Sequence, residues 1–194
     1  REAITSGTLD AAMAHFSLMP ERKTILVTGG SRGARSINKA MGDIAADLIE
    51  MGAQIIHITG HHDWERANEQ TQHLSDNAHY CSRPYLDSSE MGLAFAAADI
   101  VVGRAGASAL GEFTHHGAAA ILIPYPYAWR YQKVNADYLV KHGAAQRIDD
   151  EDMATALLPA LQDWLEDPSE LERMQQNAAA LNNSSQASTG RFGT

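Results

Sequence analysis

With 194 residues, the chain has room for one domain of ordinary size with a real core, and is too short for two full α/β domains. Hydrophobic residues make up 44% and charged residues 20%, a globular balance that excludes a long disordered chain. The formal charge of -9 gives no global drive toward nucleic acid or anionic lipid, although a local basic pocket is compatible with it.

Residues 7–18 have the composition of a single leading helix. Apolar, often β-branched runs then recur at 24–28, 54–59, 99–103 and 119–123, with weaker ones near 78–81 and 144–148, and these predict buried strands. Stretches of helical composition separate them at 34–51, 63–73, 89–97, 107–116 and 131–142. In the first of these, Ile37, Met41, Ile44, Ala45 and Leu48 fall at helical spacing and are expected to face the sheet. Such alternation predicts an α/β fold, a Rossmann-like doubly wound parallel sheet with helices on both faces. Ligands of these folds bind beyond the carboxyl ends of the strands. After Asp149 only helical signals remain, over 151–182, and they break at Asp167-Pro168. The division expected is a ligand-binding domain over 1–167, including the leading helix, followed by a terminal helix and a frayed polar tail over 168–194.

Other readings of the composition are bland. Cys81 stands alone and cannot form an internal disulfide, which is compatible with a reducing cytosol, and it reads as a small apolar residue. The sequence has no run of 18 apolar residues and no signal-peptide pattern, so a chain that neither spans a membrane nor is exported is expected. The histidines at 57, 61, 62, 115 and 116 lack a metalloprotease spacing and read as polar loop and helix-end residues.

Three segments carry chemistry. Residues 24–38 join an apolar run to the glycine turn Gly29-Gly30-Ser31-Arg32-Gly33 and then to an amphipathic stretch. Glycines let the backbone approach a ligand closely, and free N–H groups at a helix start favour an anion, so this turn suits a phosphate. Ala34 and Arg35 stand where a Walker loop needs Lys and Ser or Thr, and the second strand ends in Thr59-Gly60 rather than an acid that grips an adenosine ribose. The turn also resembles the NADP loop of short-chain dehydrogenases, but Tyr131 and Tyr138 are followed four residues on by Asn135 and His142, so the Tyr-x-x-x-Lys pair is missing. Taken alone, the turn is also compatible with a plain strand-to-helix connection.

The second segment, 98–117, runs from a strand through small residues into a helix carrying Glu112, whose carboxylate can accept hydrogen bonds from two vicinal ribose hydroxyls. An ordinary solvated helix residue is the alternative for Glu112. In the third segment, 123–136, a proline-rich turn leads into a helix on which Gln132 and Asn135 share a face and can read sugar hydroxyls.

In this order the segments resemble the carboxyl-terminal half of the GT-B glycosyltransferases that use UDP-N-acetylglucosamine. Among them, the bacterial transferases that make the lipid-linked disaccharide of peptidoglycan are most similar. The matching motifs are Gly-Gly-Ser-x-Gly-Ala at 29–34, Tyr-Leu-Asp at 85–87, Ala-Asp-Ile-Val-Val-x-Arg-Ala-Gly-Ala at 98–107, Glu112, Ile-Pro-Tyr-Pro at 123–126 and Gln-x-x-Asn-Ala at 132–136. The resemblance implies that Ser31 lies by the diphosphate and that the Leu86 backbone bonds the uracil. It implies that Ala107, Ser108, Ala109, Leu110, Gly111 and Glu112 line the nucleotide, with Glu112 on the ribose, and that Gln132, with Asn135, contacts the N-acetylglucosamine. Arg1 fits the place of a family arginine that helps bind the donor phosphates, and a start at Arg1 without methionine suggests a piece cut from a longer chain. Two positions depart from the family pattern: Tyr131 stands where many relatives have His, and Trp129-Arg130 replaces an acidic or polar loop.

The activity so implied is inverting transfer of N-acetylglucosamine from UDP to lipid I, giving lipid II at the inner face of the cell membrane. The implied partners are UDP-N-acetylglucosamine and a lipid-linked acceptor, with no nucleic acid, cofactor or metal. The acceptor site and the family's proposed histidine base belong to the amino-terminal half, so this piece alone is expected to be inactive and to meet the membrane only through the full-length enzyme. The alternatives are a separately encoded nucleotide-sugar subunit of another lipid-linked transferase and, after it, a short-chain-dehydrogenase-like NADP-binding protein.

Overall fold

A computed structural model describes residues 7–30, 34–106, 109–127 and 131–189. Among them, six strands form one parallel sheet: β1 (Lys23–Thr28), β2 (Ala53–Ile58), β3 (Tyr80–Arg83), β4 (Ile100–Gly103), β5 (Ala119–Leu122) and β6 (Ala145–Arg147). Their order is β3-β2-β1-β4-β5-β6, the doubly wound arrangement, and every strand run expected from the sequence is present. The helices are α1 (Leu9–Phe16), α2 (Arg35–Glu50), α3 (Trp64–Gln70), α4 (Ser88–Ala97), α5 (Ala109–His115), α6 (Tyr131–Lys141), α7 (Met153–Glu166) and α8 (Pro168–Thr189).

Side-chain alternation along the strands divides the interior in two. Ile25, Val27, Ile55, Ile100, Val102 and Ile121 point to one face, where Ile37, Met41 and Leu48 of α2 meet Leu157, Leu161 and Trp164 of α7. Leu26, Ile56, Val101 and Leu122 point to the other, against Phe16 of α1, Phe95 of α4, Phe113 of α5 and Leu139 of α6. The sheet-facing stripe of α2 lies as its spacing predicts, with Ile37, Met41, Ala45 and Leu48 fully buried and Ile44 at the margin. Cys81 packs beside the second core, and burial pushes its thiol pKa up. At the lower end of the sheet Asp99 Oδ2 accepts from the Thr24 N–H at 2.8 Å, and Lys23 donates to the other carboxylate oxygen, which aligns β4 with β1.

Two details depart from expectation. The helix α8 runs to Thr189 where the polar composition from Asn182 onward predicts fraying. Leu171, Met174 and Ala178 anchor it in the cores, and each residue added to a nucleated helix gains a backbone hydrogen bond. His57, which by residue type reads as a loop or helix-end residue although it falls within the run 54–59 expected as a strand, sits inside β2 and is fully buried. Asn38 spends its amide hydrogens on the Thr59 carbonyl at 2.9 Å and on Asp63 at 2.8 Å, so its oxygen accepts from His57 Nε2, at 3.1 Å. His57 Nδ1 then accepts from the Tyr80 hydroxyl at 2.8 Å. This network ties α2, β2, β3 and the turn ahead of α3.

Burial lowers the His57 pKa from 6.5 to about 4, against an opposing pull from Asp63. The unfolded chain therefore binds the extra proton over this window and the folded protein does not. Stability attributable to His57 is full above pH 6.5 and falls as the pH drops toward 4, by up to about 1.4 kcal/mol per unit. Urea titrations at pH 7 and pH 5 should show a larger loss for the wild type than for His57→Gln. Equal losses in the two proteins would show that His57 takes up protons alike in the folded and unfolded states.

Candidate functional site

Above the carboxyl ends of the strands opens a cleft of about 1400 Å³. Its floor is the seam between β1 and β4. The helix after β1 packs on one face of the sheet and the helix after β4 on the other, so the two connections diverge and leave a crevice between them. The seam is tight: a Cβ added to Gly103 would lie 2.6 Å from the Thr28 carbonyl oxygen. Gly30 turns the chain out of β1 with φ +80°, and its N–H donates to Thr28 Oγ1 at 3.3 Å.

Thr28, Gly29 and Gly30 lead to Ala34, Arg35 and Ser36 at the amino end of α2, and all six line the cleft. One wall is the turn from Pro84 to Ser88 after β3. It is held by a capping box on α4, in which Asp87 accepts from the N–H groups of Ser89 and Glu90 while the Asp87 N–H donates to Glu90. Leu86 sends its side chain into the second core, 3% exposed, which leaves its backbone for the cleft. The opposite wall carries Arg104, Gly106, Glu112, Phe113, Tyr125 and Gln132.

Charge is concentrated here against the trend of the chain. Arg35, Lys39, Arg66 and Arg104 line the cleft with only Asp87 and Glu112 as described acidic residues. Carboxylates outside the lining hold three of the four in place: Lys39 pairs with Asp43, Arg66 with Asp63 and Arg104 with Asp150. Among the described residues no cluster of three or more His, Cys, Asp or Glu is placed to hold a metal ion.

Of the residues the sequence singles out, Leu86, Glu112 and Gln132 come together around this one cleft. Glu112 sits in the first turn of α5. Gln132 Oε1 accepts from the Tyr125 N–H at 2.9 Å, which fixes the amide at the head of α6. Ala109, Leu110 and Gly111 belong to the first turn of α5. Arg1, Ser31, Ala107 and Ser108 lie outside the described residues, as do Trp129 and Arg130. Asn135 has a contact that the sequence does not reveal. Its amide donates to the Ala105 carbonyl at 3.1 Å, so it fastens α6 to the turn after β4. Sequence reasoning assigns no task to Arg104, although it stands in the motif at the end of β4. Its contacts with Ser36, Ile123 and Asp150 join positions up to 114 residues apart, which no local pattern reveals.

The fold defines a Rossmann-like α/β domain of the doubly wound type, with its cleft beyond the carboxyl ends of the strands. The chain belongs to the family described as the glycosyltransferase family 28 C-terminal domain, whose profile matches residues 24–189. A Chlorobium limicola protein named UDP-N-acetylglucosamine--N-acetylmuramyl-(pentapeptide) pyrophosphoryl-undecaprenol N-acetylglucosamine transferase is 39% identical over 174 residues, covering 89% of this chain and 46% of its own length. A Clavibacter michiganensis protein of the same name is 40% identical over 173 residues, with coverage of 89% and 45%. The crystal structure of MurG from Acinetobacter baumannii superposes with a TM-score of 0.71 at 27% identity, over 90% of this chain and 49% of that one. The carboxyl-terminal CMP-Kdo binding domain of WaaA from the same organism, 14% identical, shares the fold with a TM-score of 0.66 over 93% of this chain and 97% of its own. The chain thus spans about half the length of the curated relatives it matches.

The seam at Gly103 yields a direct test. In Gly103→Ala the new methyl meets rigid backbone, so strands β1 and β4 must part at the cleft floor, at a cost of about 1–3 kcal/mol. Thermal unfolding should show a lowered midpoint, and an unchanged one would mean that the seam has slack.

Proposed function

We propose that this chain is the donor-binding half of an inverting N-acetylglucosaminyltransferase of peptidoglycan synthesis, acting on UDP-N-acetylglucosamine and a lipid-linked acceptor. The observation that carries this reading is the convergence of Leu86, Glu112 and Gln132 on one cleft whose floor is the glycine turn of β1. The named function of the relatives supports it, as does the match to the MurG structure. In this reading the diphosphate lies against the amino end of α2 with Ser31 beside it, where the helix N–H groups and Arg35 favour an anion. The uracil meets the backbone of Leu86, the ribose hydroxyls bond Glu112, and Ala107 to Gly111 pack along the nucleotide. Gln132 faces the sugar with the amide nitrogen that its bond to Tyr125 turns outward. Arg1 completes the phosphate contacts.

In the reaction, the acceptor hydroxyl attacks the anomeric carbon from the face opposite UDP, so the C1–O bond to the diphosphate breaks as the new glycosidic bond forms, with inversion. The hydroxyl proton goes to a base in the other half of the enzyme, and the negative charge goes to the UDP diphosphate. This chain supplies the stabilisation of the leaving group; the acceptor and base lie with the partner half, so the 194-residue piece binds donor without turning it over. No described helix is long and apolar enough to cross a membrane. Contact with the inner face of the cell membrane belongs, in this reading, to the full-length enzyme.

Calorimetric titration of the purified chain with UDP, UDP-N-acetylglucosamine and NADPH tests the proposal. Binding of the two uridine ligands without binding of NADPH is expected, and a preference for NADPH overturns it. Glu112→Ala should weaken UDP binding about tenfold or more, since hydrogen bonds to a charged group are worth about 1.5–3 kcal/mol each. Unchanged affinity would make Glu112 an ordinary helix residue.

A further inference from the structure

Arg104 is the first residue beyond β4, and its side chain is only 11% exposed. Its Nη1 donates to the carbonyls of Ile123 at 3.1 Å and Pro124 at 3.4 Å and to Asp150 Oδ1 at 2.5 Å. Its Nη2 donates to Ser36 Oγ at 2.8 Å, and Ser36 Oγ donates to the same Asp150 oxygen at 2.9 Å. The guanidinium carbon stands 5.2 Å from the centre of the Tyr125 ring.

These contacts join two separate segments of the cleft lining. Ser36 is in the first turn of α2, behind the glycine turn, while Ile123 and Pro124 lead to Tyr125, whose N–H holds Gln132. A planar fork can reach both sides at once, whereas an ammonium is a single point of donation. Asp150 offsets the charge of Arg104, and the donors on Nη1 are shared among three protein oxygens. The geometry therefore suits a brace better than a free cation for phosphate.

We propose that Arg104 is a positioning residue that sets how strongly the site prefers a nucleoside diphosphate sugar over the bare nucleoside diphosphate. It does so by tying the phosphate-facing turn of α2 to the turn that orients Gln132. The proposal rests on the donor-binding reading above. Loss of the fork loosens Ile123 to Tyr125 and with them the sugar contact, while the uridine contacts at Leu86 and Glu112 stay in place.

The test is calorimetric titration of wild type, Arg104→Lys and Ser36→Ala with UDP and with UDP-N-acetylglucosamine, with circular dichroism to compare folding. Arg104→Lys should weaken UDP-N-acetylglucosamine about tenfold more than UDP. Ser36→Ala, which removes one arm of the brace, should move the ratio in the same direction by less. A charge acting directly on phosphate would instead lower both affinities equally, and that result, or an unchanged ratio, overturns the proposal. If Arg104→Lys does not fold, Ser36→Ala decides, and an unchanged ratio there is again fatal. Failure of the wild type to bind either ligand would overturn the functional reading itself, and is distinguishable from both.

Discussion

The cleft depends on the close approach of β1 and β4. Their pairing places Thr28 beside Gly103, with no room for a side chain between the two strand ends. From this point the chain diverges, to α2 over one face and to α5 over the other. The crevice is therefore a consequence of connectivity: two parallel strands with crossovers on opposite faces cannot close over their own carboxyl ends. The walls are then added by separate devices, a capping box at Asp87 on one side and the Arg104 contacts on the other. Neither device creates the opening, and both limit how its rim can move.

What could be read from the sequence follows from the range of the interactions involved. The strands were legible because parallel strands buried on both faces are apolar without interruption, and Ile-Leu-Val or Ile-Val-Val needs no partner to be recognised. The glycine turn, Glu112 and Gln132 were legible as local grammar, each next to a strand end. The bond from Asn135 to the Ala105 carbonyl was not legible, because three-residue spacing gives a shared helix face but says nothing of what lies opposite. His57 was misread for a related reason: an imidazole within an apolar strand needs Asn38 and Tyr80 to satisfy it, and these come from two other elements. Arg104 was legible as a motif position, but its pairing with Asp150, 46 residues away, had no local signature.

The charge pattern fits the same division between global and local properties. A chain of formal charge -9 repels anions at long range, yet its cleft gathers four cations. At physiological salt, exposed charges more than about 8 Å apart are largely screened, so an anion entering the cleft responds to the nearby arginines and helix amides more than to the distant acids. Pairing with Asp43, Asp63 and Asp150 holds three of these cations in position and moderates their mutual repulsion. In the proposed mode, affinity for a diphosphate would come from preorganised donors, whose geometry is set before the ligand arrives.

The proposed division of labour between two halves follows from what this half contains. In the proposed mode, the helix amides and cations that line the floor lie on the leaving-group side of a displacement. Glu112 and Asp87 are the described acids of the lining, and each already has a task, Asp87 in the cap of α4 and, in the proposed mode, Glu112 on the ribose. A general base must stand within hydrogen-bond reach of the attacking hydroxyl, on the face of the sugar opposite the diphosphate. In-line inversion separates these two positions by the width of the sugar ring. In the proposed mode, a diphosphate held at this floor leaves the attacking face to be completed from across the cleft, and a second domain would do so without disturbing the seam between β1 and β4.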